Sequence, residues 1–133
     1  MSFLLDTNIV SLAIKNDFYI KQKLEVMKFE EVDIYISCIT YFEVRRGFLA
    51  VDAPKKRERF NQLCQKYSIL FLDDLAILEK AAEIHANLRL KGLPIQSEDV
   101  LIAATAMIKG LTVVSNDSDL TRVEGLILLK VTI

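Results

Sequence analysis

A chain of 133 residues, 52% hydrophobic and 26% charged, has the size and composition of one soluble globular domain, which argues against disorder and against two domains. A formal net charge of −1 gives no bulk attraction for nucleic acid, and no window approaches the roughly 20 apolar residues of a membrane-spanning helix. The Met1–Asp6 stretch lacks the basic flank of a secretory signal, and Cys38 and Cys64 have no metal-ligand spacing, so a cytoplasmic chain with two reduced thiols is expected.

The first apolar run, Phe3–Leu5, is short and does not alternate, as a strand buried on both faces is. A short helical pattern, Asn8–Ala13, follows. Phe18–Phe29 places Ile20, Leu24 and Met27 among Lys and Glu, which predicts an amphipathic helix. Ile34–Ile36 predicts the next strand. Thr40 then stands as N-cap of a helix over Tyr41–Val51, with Glu43 at capping-box spacing. Pro54, a favoured first-turn residue, opens Lys55–Tyr67, whose apolar stripe is Phe60, Leu63 and Tyr67. Ile69–Leu72 predicts a further strand. Leu75–Leu90 carries Leu78, Ala81, Ala82, His85 and Leu88 at helical spacing and stops at Gly92. Ser97 caps Glu98–Lys109, which stops at Gly110. Thr112–Val114 and Leu126–Leu129 complete the strands. This β–α alternation predicts an α/β fold, a central parallel β-sheet flanked by helices, in a single domain over residues 1–133.

Short acidic motifs punctuate the pattern: Leu5-Asp6-Thr7-Asn8, Thr40-Tyr41-Phe42-Glu43, Glu98-Asp99-Val100-Leu101-Ile102-Ala103-Ala104, and Ser115-Asn116-Asp117-Ser118-Asp119. Each acid alone has an ordinary explanation. Asp6 reads as an N-cap, Glu43 as half of a capping box, and Asp99 as a charge suited to a helix dipole. Asp117 and Asp119 sit in a polar turn, where Asp is common. The combination is harder to explain so. Val100–Met107 is a nearly uncharged helix, hence one buried all round, with Asp99 at its mouth. The carboxyl ends of parallel strands converge in space. Carboxylates gathered there repel one another unless a cation lies between them. A donor set of oxygens without His or Cys selects a hard ion, Mg²⁺ or Mn²⁺.

On these stretches the chain resembles the PIN-domain ribonucleases, and among them the VapC-type toxins of toxin–antitoxin pairs. The matching residues are Leu4-Leu5-Asp6-Thr7-Asn8, then Thr40-x-x-Glu43-x-x-x-Gly47, then Leu93-Pro94-Ile95 leading to Asp99-x-Leu101-Ile102-Ala103-Ala104. The last stretch is Gly110-Leu111-x-x-Val114-Ser115-Asn116-Asp117-x-Asp119-Leu120. Together they span positions 4 to 120 in family order. Ser115 stands where Thr is usual and Leu120 where Phe is usual, and neither change removes a carboxylate. The resemblance implies a PIN-like fold and a metal-dependent endoribonuclease that leaves a 5′-phosphate. It implies that Asp6, Glu43, Asp99 and Asp117 form the catalytic metal cluster, with Asp119 as a further ligand; either Asp117 or Asp119 supplies the fourth acid. Thr7, Asn8, Ser115 and Asn116 are implied to orient those carboxylates. The implied partners are RNA, a small antitoxin protein and a second copy of the chain.

Between Arg45 and Arg59 six basic residues face two acidic ones, a local +4 in an acidic chain. This is either a solvated helix face or a phosphate- or partner-contacting patch. Arg45 and Arg46, just after Glu43, are candidates to hold RNA phosphate or the acidic end of an antitoxin. His85, the sole histidine, reads as packed and structural. Phe18, Phe29, Phe42, Phe48 and Phe60 read as core or dimer contacts. A phosphotransfer receiver needs paired acids after its first strand, and a dehalogenase-like phosphatase needs Asp-x-Asp there; this chain has Asp6-Thr7-Asn8. The surviving rivals are a PIN-fold nuclease without a toxin role and a non-catalytic RNA- or protein-interaction module on the same fold.

Overall fold

Alternation along β1 (Ser2–Leu5) sets the layering: Phe3 and Leu5 face one side of the sheet, Leu4 the other, and all three are buried. In the computed structural model, which describes residues 1–131, the chain continues as α1 (Thr7–Ile14), α2 (Phe18–Phe29), β2 (Asp33–Ser37), α3 (Cys38–Ala50) and α4 (Pro54–Lys66). β3 (Ser68–Leu70), α5 (Leu75–Leu90), α6 (Ser97–Lys109), β4 (Thr112–Ser115), a 3₁₀ turn (Ser118–Arg122) and β5 (Leu128–Lys130) follow. The strands form one parallel sheet in the order β3-β2-β1-β4-β5. On the Phe3 and Leu5 side, Ile9, Val10, Ile20, Leu24 and Phe60 from α1, α2 and α4 build one core. On the Leu4 side, Ile77, Ile84, Leu88, Ile102 and Ala103 from α5 and α6 build the other. The expected central parallel sheet flanked by helices is therefore present.

Helix starts follow local side-chain caps. Asp17 Oδ1 accepts from Ile20 N at 3.0 Å, Asp74 Oδ1 accepts from Ala76 N at 2.9 Å, and Pro54 occupies the first turn of α4. Gly110 ends α6 at φ 69, a left-handed conformation that disfavours any residue with a Cβ. Two expected caps are displaced. α3 begins before Thr40, because Ser37 Oγ accepts from Ile39 N at 3.0 Å and Thr40 lies inside the first turn. α6 begins at Ser97 itself, after Gln96, with no side-chain cap; Glu98 and Asp99 supply negative charge to its first turn instead.

Other expectations shift for packing reasons. The buried stripe of α5 is Ile77, Ala81, Ile84 and Leu88, so Leu78 and Ala82 turn outward and His85 is exposed rather than packed. Phe60 is fully buried and Phe48 packs at the core edge, whereas Phe18 and Phe42 are exposed and lie outside the core. The expectation for the Phe29 side chain falls outside the described part of the structure. β5 starts at Leu128 rather than Leu126, because Leu126 N–H closes a turn onto Val123 O and Gly125 holds φ 81. The sheet edge at β3 ends at Leu70, and Phe71 beyond it is 63% exposed.

Candidate functional site

The sheet order reverses between β1 and β4, because β2 and β3 lie to one side of β1 and β4 and β5 to the other. Such a switch point leaves a crevice beyond the carboxyl ends of the two strands. Asp6 follows β1 there, and Ser115, Asn116 and Asp117 end or follow β4. Asp6 N–H donates to Val114 O at 3.0 Å, which carries the strand pairing up to the acid itself.

Asp6 is 2% exposed, so its carboxylate depends on protein donors. Thr7 N–H donates to Oδ1 at 2.8 Å and Ser115 Oγ–H to Oδ2 at 2.7 Å. Asp6 therefore caps α1 and also lines the crevice. Ser115 Oγ in turn accepts from Asp117 N at 2.9 Å, and Asp117 Oδ1 accepts from Asp119 N at 2.9 Å. One buried hydroxyl thus couples Asp6 to the turn that carries Asp117 and Asp119. Burial, in first place, and the Asp117 charge push the Asp6 carboxyl above the ordinary range, while the bonds from Ser115 and Thr7 hold it down.

Glu43 enters from α3. Thr7 Oγ–H donates to Glu43 Oε1 at 2.9 Å, and Thr7 Oγ1 lies 2.9 Å from Thr40 Oγ1. Thr7 has one hydroxyl hydrogen and gives it to the carboxylate, so Thr40 is the donor to Thr7. A relay Thr40→Thr7→Glu43 results, anchored on a fully buried Thr40. Sequence reasoning gave Thr40 to a helix cap and missed this place in the site. The available signal was Ser37, a better cap at the strand end, which frees Thr40 to share a helix face with Glu43 three residues on.

Asp99 stands in the first turn of α6, whose next residues Val100 and Ile102–Ala106 are buried. Desolvation raises its carboxyl to about 7, with further contributions from the charges of Asp6, Asp117, Glu43 and Asp119. Charges from all four motifs thus bear on the Asp99 carboxyl. They do not yet share one point: among the described residues no three acidic, His or Cys side chains are close enough to hold an ion as placed. Glu43 is turned to Arg46 at 3.9 Å and Asp119 to Arg122 at 3.3 Å. The donor chemistry fits a hard cation, as all of these side chains offer oxygens. Asn116 Oδ1 adds a buried acceptor with no partner among the described residues, which costs about 1–3 kcal/mol if left so.

The remaining candidates separate. Asn8 is exposed on α1. Arg45 points away from the acids, donating to Tyr41 Oη and Asn61 Oδ1, both at 3.0 Å, and lying over the Tyr41 and Phe60 rings. It ties α3 to α4. Arg46 alone of the pair reaches the acids. In the basic stretch, Arg59 donates to Ile14 O at 3.0 Å, and Lys55, Lys56 and Arg57 are exposed.

A family model described as the PIN domain matches residues 3–126. The plasmid stability protein StbB of Pseudomonas syringae pv. tomato is 27% identical over 131 residues, covering 92% of this chain and 93% of that protein. Ribonuclease VapC4 of Mycobacterium tuberculosis is 32% identical over 87 residues, 63% of this chain and 66% of its own. VapBC2 from Rickettsia felis, solved with a DNA fragment from its promoter, superposes with a TM-score of 0.90 at 26% identity, covering 99% of this chain and 100% of that one. DNA-bound VapBC from Salmonella typhimurium gives 0.87 at 27% identity over 98% of each chain. Fold, crevice and match over nearly the whole length agree: the chain belongs to the PIN domain family.

Proposed function

We propose that this chain is a metal-dependent endoribonuclease acting as the toxin of a toxin–antitoxin pair. The observation that carries the reading is the placement of Asp6 and the Asp117 turn together at the β1–β4 switch point, joined through the Ser115 hydroxyl, with the charges of Asp6, Asp117, Glu43 and Asp119 all bearing on half-buried Asp99. Unbalanced carboxylates destabilise a fold, and a cation among them reverses that effect. Similarity to Ribonuclease VapC4 supports RNA as substrate, and the VapBC structures support a small antitoxin protein as partner. Residues 1–133 then form one PIN domain in a cytoplasmic homodimer; among the described residues no helix is long and apolar enough to cross a membrane.

In this proposal Asp6, Glu43, Asp99 and Asp117 hold Mg²⁺, for which Mn²⁺ substitutes, and Asp119 stands behind them. A cation held there would lower the pKa of an attacking water and offset charge building on the phosphodiester. The chain's part is to fix the carboxylates. Ser115 Oγ–H and Thr7 N–H lock both oxygens of Asp6, and the Thr40→Thr7 relay orients Glu43. The crevice between β1 and β4 presents them to a strand of RNA. Purified protein free of its partner is expected to cut RNA with Mn²⁺ and to stop in EDTA; undiminished cutting in EDTA rules the metal mechanism out. Induction in a bacterial host is expected to arrest growth, and normal growth with soluble, RNA-cutting protein removes the toxin role alone.

A further inference from the structure

The outer face of α3 beside Glu43 carries features that the fold does not use. Phe42 is 57% exposed, although a phenyl ring gains most from burial. The Arg46 guanidinium lies 5.2 Å from that ring centre and reaches Glu43 at 3.9 Å. Arg46 follows Phe42 by four residues and Glu43 by three, so the helix sets it between them in one strip running to the acids. Gly47 comes one turn after Glu43, within α3, where glycine is a poor helix former. A Cβ built on Gly47 meets nothing within 4 Å, so no neighbouring element requires the missing side chain. The sequence thus leaves bare backbone beside a site acid with no internal reason.

We propose that Phe42, Arg46 and Gly47 form a seat for single-stranded RNA beside the acid cluster, the Phe42 ring stacking one base and Arg46 holding the adjacent phosphate. The strand passes over α3 at Gly47, where the absent side chain lets it come close. This rests on the nuclease reading above. Aromatic rings and guanidinium planes are the groups that hold unpaired bases, and a duplex hides the base faces that Phe42 needs. The Arg46–Glu43 contact is long and its arginine side chain 56% exposed, so it is weak. A phosphate offers Arg46 a bidentate partner and frees Glu43 for the cluster. Arrival of RNA is thereby coupled to completion of the site.

The test uses wild type, Phe42→Ala, Phe42→Tyr and Gly47→Ala on fluorescein-labelled single-stranded RNA. Cleavage kinetics in Mn²⁺ and binding by anisotropy in EDTA are both read. Phe42→Ala is expected to weaken binding and raise KM about tenfold, with a smaller effect on kcat. Phe42→Tyr, which keeps a stacking ring, restores KM. Gly47→Ala is expected to raise the thermal midpoint while weakening RNA binding, opposite signs that a purely structural role does not produce. Wild-type affinity and KM in both Phe42→Ala and Gly47→Ala overturn the proposal. So does a Phe42→Ala protein with unchanged RNA affinity that turns monomeric in sedimentation where wild type dimerises, since the patch is then a protein contact. A wild type that binds RNA in EDTA yet never cuts in Mn²⁺ refutes the nuclease reading, and the anisotropy series alone then decides the seat.

Discussion

Asp99→Asn in the absence of divalent ions tests whether the carboxylates meet. The folded-state pKa of Asp99 is raised from 3.8 to about 7. Between those values the native chain holds a proton that the unfolded chain has lost, so stability falls as pH rises through the window. Three pKa units correspond to about 4 kcal/mol at full weight. Asp99 is only half-buried, and solvent screening reduces this to the order of 1–2 kcal/mol. Asparagine keeps the shape and removes the charge. In EDTA at pH 8 the variant is therefore expected to be more stable than wild type by about 1–2 kcal/mol, a rise of roughly 3–8 °C in Tm for a domain of this size. At pH 4 wild-type Asp99 is protonated and the gain disappears. Saturating Mn²⁺ reverses the order, because only wild type gains fully from binding the ion. The assay is calorimetric or urea unfolding at both pH values, with EDTA and with Mn²⁺. A variant equal to or weaker than wild type at pH 8 in EDTA refutes the convergence of charge on Asp99.

Ser115→Ala strips a donor from buried Asp6 and an acceptor from Asp117 N–H. Urea unfolding is expected to show a loss of about 1–3 kcal/mol. Without the Ser115 bond the Asp6 pKa rises further, so the loss is larger at pH 8 than at pH 4. Thr40→Val breaks the relay to Glu43 and is expected to weaken Mn²⁺ binding about tenfold, with Thr40→Ser restoring it. Arg45→Ala is expected to lower stability by about 1–2 kcal/mol, through the lost tie between α3 and α4, while cleavage of RNA stays at the wild-type rate. Reversing Lys55, Lys56 and Arg57 to Glu is expected to weaken RNA binding more at low salt than at high salt. An unchanged salt series makes that face solvent-exposed charge only.

Much of the architecture was readable because its signals are local. Phe3–Leu5 and Thr112–Val114 are apolar runs that only a sheet covered on both faces accepts. Pro54 and Gly110 mark helix ends by backbone chemistry alone. Asp6 and Asp99 each suit a helix N-terminus, and they stand out only as members of an ordered set of acids at strand ends and helix starts. The errors arise where tertiary packing chooses between local options. Helix α5 offers two apolar stripes, one through Leu78, Ala82 and His85, the other through Ile77, Ala81, Ile84 and Leu88; contact with α6 selects the second. Thr40 and Ser37 both suit a cap, and the end of β2 selects Ser37. The direction of Arg45 depends on Asn61 of α4, sixteen residues away, which no pattern in the sequence announces. Phe42 reads as a core or dimer contact, and the orientation of α3 removes the first of these by leaving it outside the core.

In the proposed site Asp6, Glu43, Asp99 and Asp117 hold a hard cation in the crevice between β1 and β4. Calorimetric titration of Mn²⁺ into partner-free protein tests it most directly, with Asp6→Asn and Asp99→Asn alongside. Wild type is expected to bind the ion saturably, releasing protons near pH 7 as Asp99 ionises, and each variant to lose most of that affinity. Wild-type affinity in both variants, or no binding by wild type at millimolar Mn²⁺, contradicts the account.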